Sequence, residues 1–147
     1  VYKRQLVSSS KNHSFVLDVT GGSKVNSANI RLYRSNMTNA QRWVVSHDDK
    51  GYVTFTNVGS HKVIDVAGGN ASAGTNIAQY ASNGTYAQKW IAAKQSDGAY
   101  LIESALRPGF YLGSRGSGAS NGVNVELSSN KGASHFALLS TSSSVAK

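Results

Sequence analysis

Two acids stand at one fixed distance from two aromatic rings in this chain, and that pairing is where chemistry could happen. Asp18 precedes Tyr33 by fifteen residues, and Asp65 precedes Tyr80 by the same fifteen. A glutamine follows each acid after twenty-three residues, Gln41 in one case and Gln88 in the other. Asp18 lies between Leu17 and Val19, and Asp65 between Ile64 and Val66. Alternation of this kind puts acid and ring on the face opposite their apolar neighbours, so both are expected to point outward. A carboxylate accepts charge-assisted hydrogen bonds from two adjacent hydroxyls, and a ring covers an apolar C–H face. Together they meet what a neutral sugar needs. The competing structural role for each acid is to pin the Gly-Gly turn that follows it through side-chain-to-backbone bonds.

Both acids belong to a longer phrase that is written twice, 47 residues apart. Leu17-Asp18-Val19-x-Gly21-Gly22, Asn29-Ile30-x-x-Tyr33 and Gln41-Arg42-Trp43 return as Ile64-Asp65-Val66-x-Gly68-Gly69, Asn76-Ile77-x-x-Tyr80 and Gln88-Lys89-Trp90. A worn third copy reads Leu112-Gly113, Asn124-Val125 and Ser134-His135-Phe136. A fixed period of this size means one supersecondary unit stacked on copies of itself. What every copy keeps is scaffold, so Trp43, Trp90 and Phe136 are expected in the core. Gln41 and Gln88 are expected to hold a turn or an acid in place. The third copy keeps its strand and a glycine-rich turn from Gly113 to Gly116, but has Gly113 for the acid and Ser128 for the ring. It is therefore expected not to bind as the others do. Arg31 in the first copy faces Ala78 in the second, so the two pockets need not prefer the same ligand.

These residues need a scaffold of strands. Ile30 and Leu32 flank Arg31, and Val53 and Phe55 flank Thr54. Period two predicts half-buried strands, and no segment sustains a helical spacing. Asp and Gly in the segments 47–51 and 96–98 mark hairpin turns. Four strands are expected per copy, near 52–57, 62–66, 76–80 and 89–94 in the middle one. Twelve short antiparallel strands in threefold repetition can close on themselves and leave few edges. The 147 residues make one domain, 1–141, with lobes of about 2–51, 52–98 and 99–141 and a Ser-rich tail at 142–147.

Composition removes several function classes. There is no cysteine, hence neither a disulfide framework nor a thiolate metal site. His13, His47, His61 and His135 lack metal-ligand spacing, and neither metal nor cofactor is expected. The net charge of +8 comes from 15 scattered basic residues, of which Arg31, Arg34 and Arg42 come nearest to a cluster. That suits solubility and loose attraction to an acidic surface better than a nucleic-acid groove. No apolar run is long enough to insert in a membrane. Asp18 and Asp65 resemble a glycosidase pair only on paper, because equivalent positions in a threefold body lie too far apart for that chemistry. Gly118-Ala119-Ser120-Asn121-Gly122 spells the nucleophile-elbow string outside its strand-to-helix context. No enzymatic activity is expected.

The Gln-x-Trp triplets, the Asp-Val-x-Gly-Gly openings and the Asn-Ile-x-x-Tyr strands resemble the signature of ricin B-chain-like lectins. The stretch from Asn83 to Gln88 is similar to bacterial secreted members. The resemblance covers about residues 2–141 and implies an all-β β-trefoil of three four-stranded lobes. It also implies non-catalytic carbohydrate binding at shallow sites in two lobes. Carried over residue by residue, the resemblance gives Asp18 with Tyr33 and Asp65 with Tyr80 as sugar contacts and Gln41 and Gln88 as their supports. With Arg31 added from the difference between copies and Asn36 and Asn83 from their loops, the first site holds Asp18, Arg31, Tyr33, Asn36 and Gln41, and the second holds Asp65, Tyr80, Asn83 and Gln88. The family's sugar-contacting asparagine before the glutamine is replaced by Ala40 and Ala87; Asn36, Asn39 or Asn83 stand in the same loops to substitute. The implied partners are glycans, with galactose-type ends or xylan-like backbones, and a covalently linked catalytic domain outside this stretch. The implied location is secreted or at a cell surface or wall. Two other readings stay open: electrostatic binding of an anionic glycan or wall polymer, and a protein-interaction module with vestigial sugar pockets.

Overall fold

Period-two patterning becomes twelve antiparallel strands among the described residues, four to each copy of the repeat. The computed structural model describes residues 4–133 and 135–141; Ser134 of the worn copy and the Ser-rich stretch 142–147 lie outside them. Lobe one comprises β1 (Arg4–Ser9), β2 (Phe15–Val19), β3 (Ile30–Arg34) and β4 (Trp43–His47). Lobe two comprises β5 (Val53–Asn57), β6 (Val63–Val66), β7 (Ile77–Tyr80) and β8 (Trp90–Lys94). Lobe three comprises β9 (Tyr100–Ser104), β10 (Tyr111–Ser114), β11 (Val125–Ser128) and β12 (His135–Ser140).

The first and last strands of the lobes pair in a ring, β1 with β4, β4 with β5, β5 with β8, β8 with β9, β9 with β12 and β12 with β1. Six strands thus close a barrel and leave it without an edge. The inner strands form three hairpins, β2–β3, β6–β7 and β10–β11, each joined to the barrel through its own lobe's first strand. This is the β-trefoil that the family resemblance implies. The turns before β5 and β9 fall where Asp and Gly mark them: Asp48 Oδ1 accepts from the backbone N–H of Lys50 and Tyr52 at 2.9 Å. Gly51 and Gly98 close these turns at φ 88°, a left-handed conformation open chiefly to glycine.

Register identifies the equivalent core residues without reference to sequence. Trp43 pairs with Asn57, Trp90 with Ser104 and Phe136 with Ser9, so all three large side chains occupy the same place in their lobes. All are buried, as expected. The Trp43 indole donates to the Leu17 carbonyl at 3.2 Å, and the Trp90 indole to that of Ile64 at 3.4 Å. Each indole therefore ties the barrel to the hairpin strand that carries its lobe's acid. Val7, Phe55 and Ile102 fill the barrel beside them.

The three hairpins meet through a cycle of amides. Asn29 Nδ2 donates to Asn124 Oδ1 at 2.8 Å, Asn124 Nδ2 to Asn76 Oδ1 at 2.8 Å, and Asn76 Nδ2 to Asn29 Oδ1 at 2.9 Å. The Asn that opens each copy's Asn-Ile or Asn-Val pair is thereby explained: one amide per lobe, each donating once and accepting once. Replacing Asn29 by Ala leaves Asn124 Oδ1 and Asn76 Nδ2 without partners. We expect that variant to lose about 1–3 kcal/mol of stability. Urea unfolding should show a lower midpoint at an unchanged m-value; an unchanged midpoint would mean that the cycle contributes nothing to holding the lobes together.

Candidate functional site

Hairpin register decides what each acid faces. Across β2 and β3, Asp18 lies opposite Arg31; across β6 and β7, Asp65 lies opposite Ala78; across β10 and β11, Gly113 lies opposite Glu126. Three lobes of one architecture therefore present three different pairs at one place.

In lobe one the pair is an ion pair. Arg31 Nε donates to Asp18 Oδ2 at 2.9 Å, and the guanidinium carbon stands 4.2 Å from the centre of the Tyr33 ring. The cation thus engages both the acid and the ring that a sugar would use. Around it is a hollow of about 320 Å³, lined by Asp18, Arg31, Tyr33, Asn36 and the Gly21–Gly22 turn, among others.

In lobe two Ala78 leaves that space open. The hollow measures about 610 Å³ and is lined by Asp65, Tyr80 and Asn83 together with Tyr86, Leu106 and the Gly68–Gly69 turn. Among the described residues no cation pairs with Asp65. Burial without a counter-charge raises its carboxyl from the usual 3.8 to about 6, and a hydrogen bond from the Gln88 side chain works in the opposite direction.

Lobe three inverts the charges. Glu126, the residue equivalent to Arg31 and Ala78, is bound by Arg115 at 2.7 Å, while Gly113 and Ser128 supply neither acid nor ring. Its turn nevertheless keeps the same two left-handed residues, Gly116 at φ 61° and Ser117 at φ 57°, as Gly21 and Gly22 do at 65° and 64°. No side chain caps the turns after β2, β6 or β10. The acids are not needed to pin the glycines.

The outward orientation expected of the acids needs correcting. Asp18 and Asp65 do turn away from the core, but they retain only 3% and 9% of their surface. They form the floors of hollows, because hairpin, turn and following loop wall them in. Tyr33 is half-buried under Arg31, whereas Tyr80 is exposed.

Gln41 and Gln88 lie behind the hollows and line neither. Gln41 donates to the Arg34 carbonyl at 2.9 Å and accepts from the Asn36 N–H at 2.8 Å; Gln88 does the same with Ala81 and Asn83, both at 2.9 Å. Each clamps the loop that carries the asparagine. Asn36 and Asn83 use Oδ1 to hold Thr38 and Thr85, leaving the amide nitrogen as the group that can reach a ligand. Asn39 is instead engaged by Arg42 at 3.1 Å.

One residue of the larger hollow has no counterpart among the sequence candidates. Tyr86 is 51% exposed and meets Tyr52 edge-on, with ring centres 5.7 Å apart. The signal was available: Tyr86 stands where the first copy has Asn39, an aromatic gained by one copy alone. Gly118–Gly122 falls in the loop before β11, without a helix. No three His, Cys, Asp or Glu side chains among the described residues gather as metal ligands.

Residues 39–128 match the family model described as ricin-type beta-trefoil lectin domain-like. No curated protein sequence matches significantly. Among solved structures, the designed threefold-symmetric protein ThreeFoil is similar at 25% identity and a TM-score of 0.88, over 92% of this chain and 97% of that one. The exo-beta-1,3-galactanase 1,3Gal43A from Clostridium thermocellum is similar at 28% identity and a TM-score of 0.88; the match covers 95% of this chain but only 30% of the enzyme. The C-half of the earthworm R-type lectin, solved in complex with GalNAc, shares the fold at 17% identity and a TM-score of 0.72, over 94% of this chain and 98% of that one.

The unequal surroundings of the two acids have opposite consequences for stability. Between about pH 4 and pH 6 the folded chain keeps an Asp65 proton that the unfolded chain has lost, so stability falls as pH rises through that window. Asp65→Asn should therefore stabilise the protein at pH 7.5 by about 1–2 kcal/mol, discounted for the part of the carboxyl still open to water, and change nothing at pH 4. Asp18→Asn should destabilise it at pH 7.5 by stripping Arg31 of its partner. Thermal unfolding of both variants at the two pH values checks this, and equal effects at Asp18 and Asp65 would contradict it.

Proposed function

The chain belongs to the ricin-type beta-trefoil lectin domain-like family, and on that premise we propose that it binds carbohydrate without catalysis, with lobe two as its neutral-sugar site. The observation that carries this reading is Asp65: a desolvated carboxyl with no cation paired to it among the described residues, flanked by two exposed rings and an asparagine amide in an open hollow. Such a carboxylate accepts hydrogen bonds from two adjacent hydroxyls. Tyr80 receives the apolar face of the pyranose, and Asn83 Nδ2 donates to a third oxygen. Tyr86 extends the platform toward a second sugar unit, and a hollow of about 610 Å³ has room for it.

Galactose-containing glycans are the ligands we favour. The support is the 28% identity to a segment of a galactanase, together with the geometry of an acid beside a ring. The role that suits a binding module of this kind is targeting, holding a linked catalytic domain or the cell surface that bears it against a polysaccharide. Secretion belongs to the same proposal. An open hollow of this type holds one sugar at about millimolar affinity, roughly −4 kcal/mol.

Galactose calorimetry should report one site per chain. Asp65→Ala should abolish it, through a loss of about 1.5–3 kcal/mol, while Asp18→Ala leaves it standing. Binding that survives Asp65→Ala in a folded variant would refute the assignment. The ionised carboxylate is the form that accepts hydroxyl bonds, so affinity should fall up to about tenfold between pH 7 and pH 5 as Asp65 takes up its proton near 6. A flat profile over that range would mean that another group makes the contact.

A further inference from the structure

We propose that the hollow of lobe one is a site for an acidic sugar, a hexuronate, and that Arg31 is the residue that makes it so. The inference rests on the carbohydrate reading of the fold and adds a second ligand class to it. A neutral pyranose entering this hollow needs the Asp18 carboxylate and the Tyr33 face. Arg31 already occupies both, at 2.9 Å from one and 4.2 Å from the centre of the other. Admitting the sugar means breaking a charge-assisted bond and a cation–π contact together. A sugar carboxylate faces no such conflict.

Arg31 spends only its Nε–H on Asp18. Among the described residues no other hydrogen bond engages the guanidinium, and the side chain keeps 26% of its surface. Its two Nη groups are therefore free to take a planar carboxylate bidentately, which is the recognition mode that sets arginine apart from lysine. Asp18 then acts as the positioning residue, fixing the guanidinium by its other edge. Asn36, on the loop beside the hollow, carries an amide nitrogen for the sugar's hydroxyls. The net charge of the chain is +8, which favours an anionic ligand over a neutral one. Attraction of a carboxylate by that charge weakens with added salt.

The test is a pair of NMR titrations of the isotope-labelled chain, with D-galacturonate and with D-galactose, at pH 7 and at about 20 mM and about 300 mM salt. Galacturonate should shift the Arg31 Nε–H and the backbone amides of residues 18–22, and the response should weaken several-fold at the higher salt. Galactose should leave those signals in place. Arg31→Ala should remove the galacturonate response at lobe one, and Arg31→Lys, which keeps the charge without the fork, should weaken it at least about fivefold. The transplant Ala78→Arg should give lobe two the same preference and exclude galactose there, a readout that holds even where Arg31→Ala fails to fold. Lobe-one signals that respond equally to both sugars, that ignore galacturonate, or that still respond to it in folded Arg31→Ala would overturn the proposal. Failure of the neutral-sugar reading would be seen separately, as lobe-two amides that galactose does not move.

Discussion

A chain that repeats itself three times must find a way to end where it began, and here two closures do so. One is the six-stranded barrel; the other is the amide cycle of Asn29, Asn76 and Asn124, in which each side chain donates once and accepts once. The cycle is the stricter of the two. It tolerates no lobe that is out of register, because a shift of one residue turns every side chain of a strand to the other face. Its neighbours record the same constraint, with backbone bridges from Asn29 to Ala78, from Asn124 to Arg31 and from Asn76 to Glu126. The position opposite each acid is thus held in one frame in all three lobes. Whatever residue stands there acts on the acid from a fixed distance.

That fixed frame turns a single substitution into a change of chemistry. With arginine opposite it, the acid is neutralised and its ring is covered. With alanine opposite, the acid is desolvated and meets no cation among the described residues, only the hydrogen bond from Gln88. In the third lobe the acid has become Gly113, and the cross-strand residue is itself an acid served by Arg115. A buried carboxylate without a counter-charge works against folding, and lobe three shows that the turn stands without an acid. The turn therefore does not depend on Asp65, and the hydrogen bond from Gln88 offsets only part of the cost of its burial. Strongly perturbed groups in hollows of this sort concentrate at functional sites, and Asp65 fits that pattern.

The repeat made the architecture legible because the features it preserves are those that packing and closure require: alternation in the strands, an indole or phenyl ring at the start of the barrel strand, an asparagine at the axis and left-handed glycines at the turn. Twelve strands in threefold repetition follow from these, and the resemblance to ricin B-chain-like lectins adds that they form a β-trefoil. The acid–ring pairs were legible as well, since their spacing is the length of one hairpin plus its turn. What the sequence concealed lies in the third dimension. Leu17, Asp18 and Val19 alternate as if one face were wet, yet the whole of β2 is buried, because the loop ending at Gln41 folds over the other side. The glutamines hold a turn in place, as their spacing suggested, but that they do so through the loop carrying Asn36 or Asn83 is visible only in three dimensions. Arg31 was visible as a difference between copies, but its reach into both Asp18 and Tyr33 depends on the register across β2 and β3, which no linear spacing expresses. Gln79, buried where the other lobes carry leucine, is a further case: it spends its amide on the Ser23 and Val25 carbonyls of lobe one at 3.0 and 2.9 Å.

Two unlike hollows on one rigid body select differently from two alike. Identical weak sites reward any polymer that repeats their sugar, because the second contact forms at the effective concentration set by the first and can raise avidity by about 10²–10⁴. Sites for a neutral and an acidic residue reward only a polymer that carries both at a spacing the trefoil can bridge. On the two proposals, each contact alone stays near the millimolar range, so glycans with one kind of sugar would be released quickly. Discrimination then resides in the combination rather than in either pocket, and it costs the protein no deeper cavity and no moving part. The symmetry of the fold supplies the rigid spacing, and one cross-strand residue per lobe supplies the difference.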